Sequence, residues 1–556
     1  MIRHARFRFR TESGNARGMV RVALRLGLTA AIVLVTGLTA WAIVISLPSL
    51  HIVSAIHAPE ADHADQNEFT SLVASGQSAN AFTAAFEDGD ELFDTPFNAL
   101  DGGGANVGQG QRYTQTPRAD LTGLGEWATH FPSRATGPNA QACTECHFIP
   151  FEDGAGGPSS NVSRDPGHTA NLSRFINRNT PALFGLGAIQ RLAEEMNKDL
   201  MNVRDAAVAD AHSSGKNVIK PLTTKGVTFG SIIARPDGTI DTTLIRGIDP
   251  DLVVRPFQWK GSVAYIRDFV RGAAHNELGM QAVELVGDGL DGDFDGVPDE
   301  LTVGDITAIT VYNAAQPRPV TKMELASLHL IPALDSTEVA AIQAGEGVFD
   351  QTGCGSCHVT RMVINDPTFS EPSRNPNYRD AVFPAGQDPA SRGVSTKLPV
   401  IFDLTSDQPD NRINVNGKII RLGALEKDQF GHGVVRLFGD LKRHDMGPGL
   451  AESIDEVGTG ASVFLTRSLW GVGSTAPYMH DGRATTLTEA ILEHGGEGET
   501  AKTAFLALSP KDQQNLVAYL NNLVLYKQTT TATGSTPPST DHSINDRFRF
   551  HSGFHR

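Results

Sequence analysis

Polar and apolar positions divide the chain into a charged start, one long uncharged run, and a body of short helical patterns separated by Gly- and Pro-rich loops. Arg3, Arg6, Arg8, Arg10, Arg17, Arg21 and Arg25 precede the stretch from Leu26 to Leu47, which carries no charge. That stretch is long enough to cross a bilayer as one helix, with the arginines on the cytoplasmic side. Ala40-Trp41-Ala42 also offers the small-x-small site of a cleaved secretory signal. Residues 1–48 therefore read as a membrane anchor or a signal, and both readings export the rest of the chain. Residues 49–80 are small and polar and read as a linker. Residues 528–556 are rich in Thr, Ser, Pro and Gly and read as a disordered tail.

The body repeats itself once, loosely. Gly89 and Phe93 lie on one predicted helix, and Gly345 and Phe349 lie on another. Each half then closes on an apolar helix: Asp305 to Ala315 with Tyr312, and Lys511 to Tyr526 with Tyr519. In the second, Ser509 and Pro510 supply an N-cap and a first-turn proline. Leu516, Tyr519, Leu520 and Leu523 form one face of it. The segment Thr180 to Gly187 (TPALFGLG) matches Thr466 to Gly473 (TRSLWGVG). The pattern predicts two mainly α domains with long loops, 81–332 and 333–527. Residues from about Asn197 to Thr243 have no counterpart in the second half and suit a substrate or partner surface.

Length and charge narrow the picture. A chain of 556 residues can bury two or three proper cores. A formal net charge of −16 argues against nucleic acid, which needs a basic surface, and permits a basic redox partner.

All four cysteines fall in two motifs, Cys143-Thr144-Glu145-Cys146-His147 and Cys354-Gly355-Ser356-Cys357-His358. A CxxCH motif is a site where haem is bonded through two thioethers, with the histidine as proximal iron ligand. Zinc would have to pair two distant dithiols and would leave each histidine unexplained. A thioredoxin-like dithiol leaves that histidine idle as well. Two covalently bound c-type haems are the expectation, and such attachment takes place outside the cytoplasm in bacteria. A separate signal lies at 291–302, where Asp291, Asp293, Asp295 and Asp299 alternate around Gly296 with the spacing of an EF-hand-like calcium loop. Thr302 stands where a bidentate Glu would close the cage, with Glu300 or Asp305 as substitutes. A solvated acidic loop is the alternative.

Three further segments carry a resemblance: Leu441 to Ala451 (LKRHDMGPGLA), Tyr478 to Ala484 (YMHDGRA) and Ala490 to Glu497 (AILEHGGE). Through them the chain resembles the di-haem cytochrome c peroxidase superfamily. Within it the chain is most similar to the di-haem oxidoreductase branch, also labelled thiol oxidoreductase. The first half matches more weakly, at its haem motif, at Asn179 to Gly187, and from Phe257 to Met280. The resemblance implies two cytochrome c-like haem domains in tandem. In that fold the small-then-aromatic pair, Gly89 and Phe93 or Gly345 and Phe349, packs the first helix on the last.

The resemblance also assigns roles. The second haem's sixth ligand falls on His494, with Met446, Met479, His444 and His480 as competitors. By the internal repeat, Trp259 through Glu277 occupies the place of His480 through His494, so His275 or Glu277 should reach the distal side of the first haem. Trp259 resembles a Trp that lies between the haems, and Glu277 is the nearest match to a distal Glu. No Asp-Gly-Arg follows Trp259, and Phe269 replaces the family's distal Gln. His168 is a further candidate distal ligand. The implied function is a periplasmic oxidoreductase, free or anchored in the inner membrane. It would reduce hydrogen peroxide or another small oxidant with electrons from a small donor such as a cytochrome c or cupredoxin. The alternatives are an electron-transfer cytochrome with both irons six-coordinate, and an enzyme oxidising a protein or organic substrate.

Overall fold

Helix crossings at glycine organise the described part of the chain, which in this computed structural model is residues 61–528 without 105–112, 124–125, 128, 130 and 376–393. Helix α1 runs over Gln66–Ala74 and α2 over Ser78–Asp94. They are followed by α3, Leu186–Ser214, α4, Ile266–Ala273, and α5, Val303–Ala314. The second half contributes α6, Ser336–Gln351, α7, Leu487–Glu493, α8, Glu499–Leu506, and α9, Pro510–Asn521. Several starts are capped as their sequences dictate. Thr302 and Asp305 form a capping box on α5, and Ser509 caps α9 ahead of Pro510.

Helix α2 crosses α5 at Gly89. A Cβ there would lie 2.2 Å from the Ala308 carbonyl oxygen and 2.7 Å from Tyr312 Cβ. Helix α6 crosses α9 in the same way at Gly345, where a Cβ would lie 2.0 Å from the Asn515 oxygen and 2.7 Å from Tyr519 Cβ. One turn further on, an aromatic ring locks each crossing. Phe93 packs on Tyr312 with ring centroids 5.2 Å apart, and Phe349 on Tyr519 at 5.6 Å. The repeated segment is held alike in both halves. Gly185 and Gly471 both sit at positive φ, +74° and +85°. Two residues on, a Cβ at Gly187 would meet the Ala314 oxygen, and one at Gly473 the Asn521 oxygen, each at the end of the closing helix.

Between these crossings the chain is mostly loop. Helix accounts for 34% of the described residues, which include only two- and three-stranded sheets. The expectation of a mainly α fold thus holds for what carries the crossings and not for the bulk of the backbone. The stretch without a counterpart extends α3 and then forms an antiparallel sheet of β1, Val218–Thr224, β2, Val227–Ala234, and β3, Ile240–Asp241. Its inward residues Leu222, Phe229 and Ile232 are fully buried with Ala207 and Ala211 of α3. Near the C-terminal end, β4, Arg443–Asp445, pairs with β5, Val463–Leu465.

Two expected boundaries change. The linker at 49–80 is helical from Gln66, because Asp65 caps α1 and Phe69 is buried without residue. Residue 332 does not separate two cores, since residues 59–527 form one compact unit. Phe402 and Phe369 of the second half complete the core of the first, with Phe82 stacked on Phe402 at 4.6 Å. The anchor or signal at 1–48 and nearly all of the tail at 528–556 lie outside the described residues. Among the described residues no helix is long and apolar enough to cross a membrane.

The crossings make a direct prediction. Gly345→Ala places a methyl group against backbone and should cost roughly 1–3 kcal/mol, lowering the thermal midpoint measured by calorimetry. Gly347→Ala, on the same helix with nothing within 4 Å of its Cβ, should be neutral or stabilising. Equal midpoints for the two variants would contradict the close approach.

Candidate functional site

The two CxxCH segments are tight turns of the same build. The His147 and Cys146 amides both donate to the Cys143 oxygen at 3.1 Å, and the His358 and Cys357 amides donate to the Cys354 oxygen at 3.0 and 3.3 Å. Such a turn carries both sulfurs and the imidazole of one motif to one side. Both turns line the same cavity of about 590 Å³, which residues from both halves enclose.

The proximal imidazoles have a defined tautomer. His147 Nδ1 donates to the Gly154 carbonyl at 3.2 Å, and His358 Nδ1 donates to the Phe438 carbonyl at 3.0 Å. A carbonyl only accepts, so the proton is on Nδ1 and the lone pair of Nε2 is left free, as a metal-ligating histidine requires. Burial pushes both pKa values down to about 4, which keeps the rings neutral at pH 7. Burial likewise pushes Cys143 and Cys146 up to about 12, far from the free thiolate of a reactive dithiol. Among the described residues the four cysteines do not gather around one point.

His494 stands opposite His358. Their ring centroids are 6.4 Å apart and the planes are tilted by 62°. Two metal–nitrogen bonds of about 2 Å, plus about 1 Å from each nitrogen to its ring centre, put two axial imidazoles about 6 Å apart. His494 Nδ1 is also spent on a carbonyl, that of Ala490 at 2.8 Å. The competitors differ. His444 has both ring nitrogens 2.8 Å from carboxylates, Asp440 and Glu497. Burial alone would push its pKa down, but Asp440, Cys357 and Glu497 outweigh that and hold it near 10. His480 stacks on Phe464 at 4.4 Å. Met446 and Met479 both line the cavity.

On the first-half side Glu277 and His275 part company. Both lie in a π-helical turn, Ala274–Leu278, that continues α4. Glu277 lines the cavity, and its charge helps push up Cys146. Asn139 Nδ2 donates to one oxygen at 2.6 Å, and Arg164 approaches the other at 3.5 Å. Burial raises its pKa against the lowering effect of both partners. His275 does not line the cavity and places Nε2 3.1 Å from the Pro132 carbonyl. Of the two alternatives, Glu277 and not His275 lines the cavity. His168 also lies away from the cavity, stacked on Trp127 at 4.5 Å.

Trp259 sits at the seam of the two halves. Its Nε1 donates to the Asn179 carbonyl at 2.9 Å, and the Asn179 amide donates to the His480 carbonyl at 2.7 Å. Arg467 lies over the Trp259 ring, 4.8 Å from its centroid. Burial lowers the Arg467 pKa to about 10, and no carboxylate among the described residues pairs with it. A half-buried cation without an anion is costly, so the cavity presents the unpaired Arg467 charge to whatever fills it. Sequence reasoning missed Arg467, although it replaces Pro181 of the matching segment. It also missed the seam ion pairs, where Arg178 pairs with Glu452 and, at 2.5 Å, with Glu456, and Arg164 meets Glu456 at 2.9 Å.

These residues fit haem: two thiols and a free Nε2 at each turn, an imidazole pair at axial spacing, and a lone guanidinium suited to a propionate. The acidic loop is less complete. Asp291, Asp293 and Asp295 bring ligand oxygens within 4.8 Å of one another. Asp299 does not join them and accepts from the Gly289 amide at 2.6 Å. Asp305 is spent on the α5 cap. Buried Glu300 keeps one oxygen, Oε1, without a hydrogen-bond partner.

The site defines a haem-dependent redox protein. The family model described as "Di-haem oxidoreductase, putative peroxidase" matches residues 413–523, so that part of the chain carries the di-haem oxidoreductase pattern. No curated protein matches the chain. Among solved structures, Kuenenia stuttgartiensis hydrazine synthase pressurised with 20 bar xenon is 16% identical, covering 56% of this chain and 77% of its own at a TM-score of 0.23. A MauG-like protein associated with microbial copper homeostasis is 14% identical, covering 61% and 89% at a TM-score of 0.25. Likenesses this weak carry no argument.

The turns predict haem stoichiometry. Cys143→Ala and Cys354→Ala should each leave one covalently bound haem per chain in a pyridine haemochrome assay. Two haems retained in either variant would contradict the assignment.

Proposed function

We propose that the chain is a c-type di-haem oxidoreductase that works outside the cytoplasm and reduces hydrogen peroxide with electrons from a small redox protein. The observation that carries this reading is the difference between the two CxxCH turns. His358 faces a second imidazole. His147 has Phe93 as its ring neighbour at 6.1 Å, and the cavity offers the Glu277 carboxylate and the Phe269 ring. Cys143, Cys146 and His147 would hold one haem. Cys354, Cys357, His358 and His494 would hold the other. Bound there, the haems would supply redox-active iron, and the side of the cavity lined by Glu277 would receive the small oxidant.

The chain's own residues supply the proton chemistry. Glu277 takes the proton from one oxygen of hydrogen peroxide and gives it to the other, which leaves as water. Two electrons and two further protons complete the reduction to two waters. Asn139 and Arg164 each hold one oxygen of that carboxylate, so it presents a single geometry. Burial raises its pKa toward that of a working base. Trp259 offers a π system between the halves. The Arg467 charge on its face makes that ring harder to oxidise, which favours reduction of a small oxidant over outward oxidation of a protein or organic substrate.

The Arg-rich start and the run Leu26–Leu47 support export to the periplasm, as an inner-membrane anchor or a cleaved signal. The net charge of −16 suits a basic cytochrome c or cupredoxin as donor. Calcium enters the reading as a ligand of Asp291, Asp293 and Asp295. Burial, together with Asp295, raises Asp293 to about 8 against the lowering effect of Arg134.

Glu277→Gln should leave both haem spectra intact and slow peroxide turnover by 10²-fold or more. The acid limb of the wild-type pH profile should lie above the ordinary carboxylate range, because burial raises Glu277. Unaltered turnover would remove Glu277 from the mechanism. Calcium at a hundred times its dissociation constant should stabilise the protein by about 2.7 kcal/mol, seen as a higher thermal midpoint. Asp293→Asn should abolish that shift, and a wild-type midpoint insensitive to calcium and chelator would dismiss the site.

A further inference from the structure

His494 stands at the end of a short helix, which holds its ring only through the Ala490 carbonyl, 2.8 Å from Nδ1. Helix α7 is seven residues long, and only Leu487 of it is buried. His494 is its C-cap, with φ −62° and ψ 133°, where the chain has already left the helix. Helix ends fray, so a ring at this place needs another restraint to stay at axial distance from His358.

That restraint comes from β4. His444 presents Nε2 to Asp440 and Nδ1 to Glu497, each at 2.8 Å. A ring between two carboxylates with a nitrogen on each is an imidazolium donating twice. Asp440 and His444 are both buried, 2% and 7% exposed. The second oxygen of Glu497 accepts from the Asp445 amide at 3.0 Å. One carboxylate, three residues past His494, is therefore tied to β4 through both its oxygens. The backbones come together at glycine: a Cβ on Gly496 would lie 2.2 Å from the Asp445 oxygen, and one on Gly447 would lie 2.8 Å from the Gly496 nitrogen. Met446 lies beside them. Its methyl and His494 Cδ2 are each 3.2 Å from the point a Gly498 Cβ would occupy.

We propose that the Asp440–His444–Glu497 ion triad is a latch that keeps His494 facing His358, which makes His444 and Glu497 positioning residues for that imidazole. The proposal rests on the reading of His494 as an axial ligand. When the latch is broken, the position His494 leaves goes to water or to the Met446 thioether.

The test uses the full-length holoprotein and cyanide as a competing ligand, followed on the low-spin ferric resonance of the second haem. A charge-assisted hydrogen bond contributes enough that its loss should weaken the restraint about tenfold. Glu497→Gln should therefore bind cyanide about ten times more tightly at that haem. It should keep two haems per chain and a wild-type thermal midpoint, since the Glu497 side chain is half exposed at 52%. Glu497→Asp should return the affinity toward wild type, and His444→Asn should reproduce the effect of Glu497→Gln. A resting spectrum of Glu497→Gln that turns partly high-spin or shows thioether ligation also supports the latch. His494→Ala separates the two levels of the argument. If it leaves the low-spin resonance unchanged, the axial reading falls and the latch with it. If it removes that resonance while Glu497→Gln keeps wild-type spectrum and cyanide affinity, the latch is overturned and the axial reading stands.

Discussion

Everything near the cavity depends on two helix crossings that admit no side chain. At Gly89 and Gly345 a backbone carbonyl of the closing helix occupies the place a Cβ would take. This brings α2 onto α5 and α6 onto α9 closely enough for Phe93 to reach Tyr312 and Phe349 to reach Tyr519. The same aromatic residues continue toward the metal-ligand segments. Phe93 neighbours His147, and Phe349 meets Phe438, whose carbonyl fixes the His358 tautomer. A helix approach set by the absence of a methyl group is thus transmitted, ring by ring, to the orientation of an imidazole.

On this repeated frame the two CxxCH turns differ in what faces them. Proximal turns, tautomers and neutral imidazoles are alike in both. The distal fillings are not: one side offers His494, and the other offers Glu277 held by Asn139 and Arg164. An imidazole pair favours storage and relay of an electron, whereas a half-buried carboxylate lining the cavity favours proton transfer to a small ligand. The ion pairs of Arg164 and Arg178 with Glu452 and Glu456 cross the seam, so the geometry at Glu277 is braced by the second half.

Much of this was legible in the chain because it is written in spacing. The CxxCH turns, the Gly–Phe pairs and the segment Thr180–Gly187 against Thr466–Gly473 are local patterns, and their glycines meet the structure in matching places. What spacing could not tell was direction. A π-helical turn at Ala274–Leu278 changes the angle per residue, so helical counting does not decide whether His275 or Glu277 faces the cavity. The linker expectation failed at Gln66 because one buried ring, Phe69, orders a segment of otherwise polar composition. Arg467 escaped notice because its meaning is the absence of a carboxylate, which only three dimensions reveal. The sheet after α3 has no repeat partner, and its pairing depends on contacts with Ala207 and Ala211.

The central claim is that the two irons differ, one closed by two imidazoles and the other open to a small ligand. Electron paramagnetic resonance of the purified holoprotein, fully ferric and then half-reduced, tests it most directly. The account predicts one low-spin resonance from the imidazole pair and, in at least one of the two states, a high-spin ferric resonance from the other haem. Low-spin signals alone, together with a ferrous form that binds no carbon monoxide, would contradict it and leave an electron carrier.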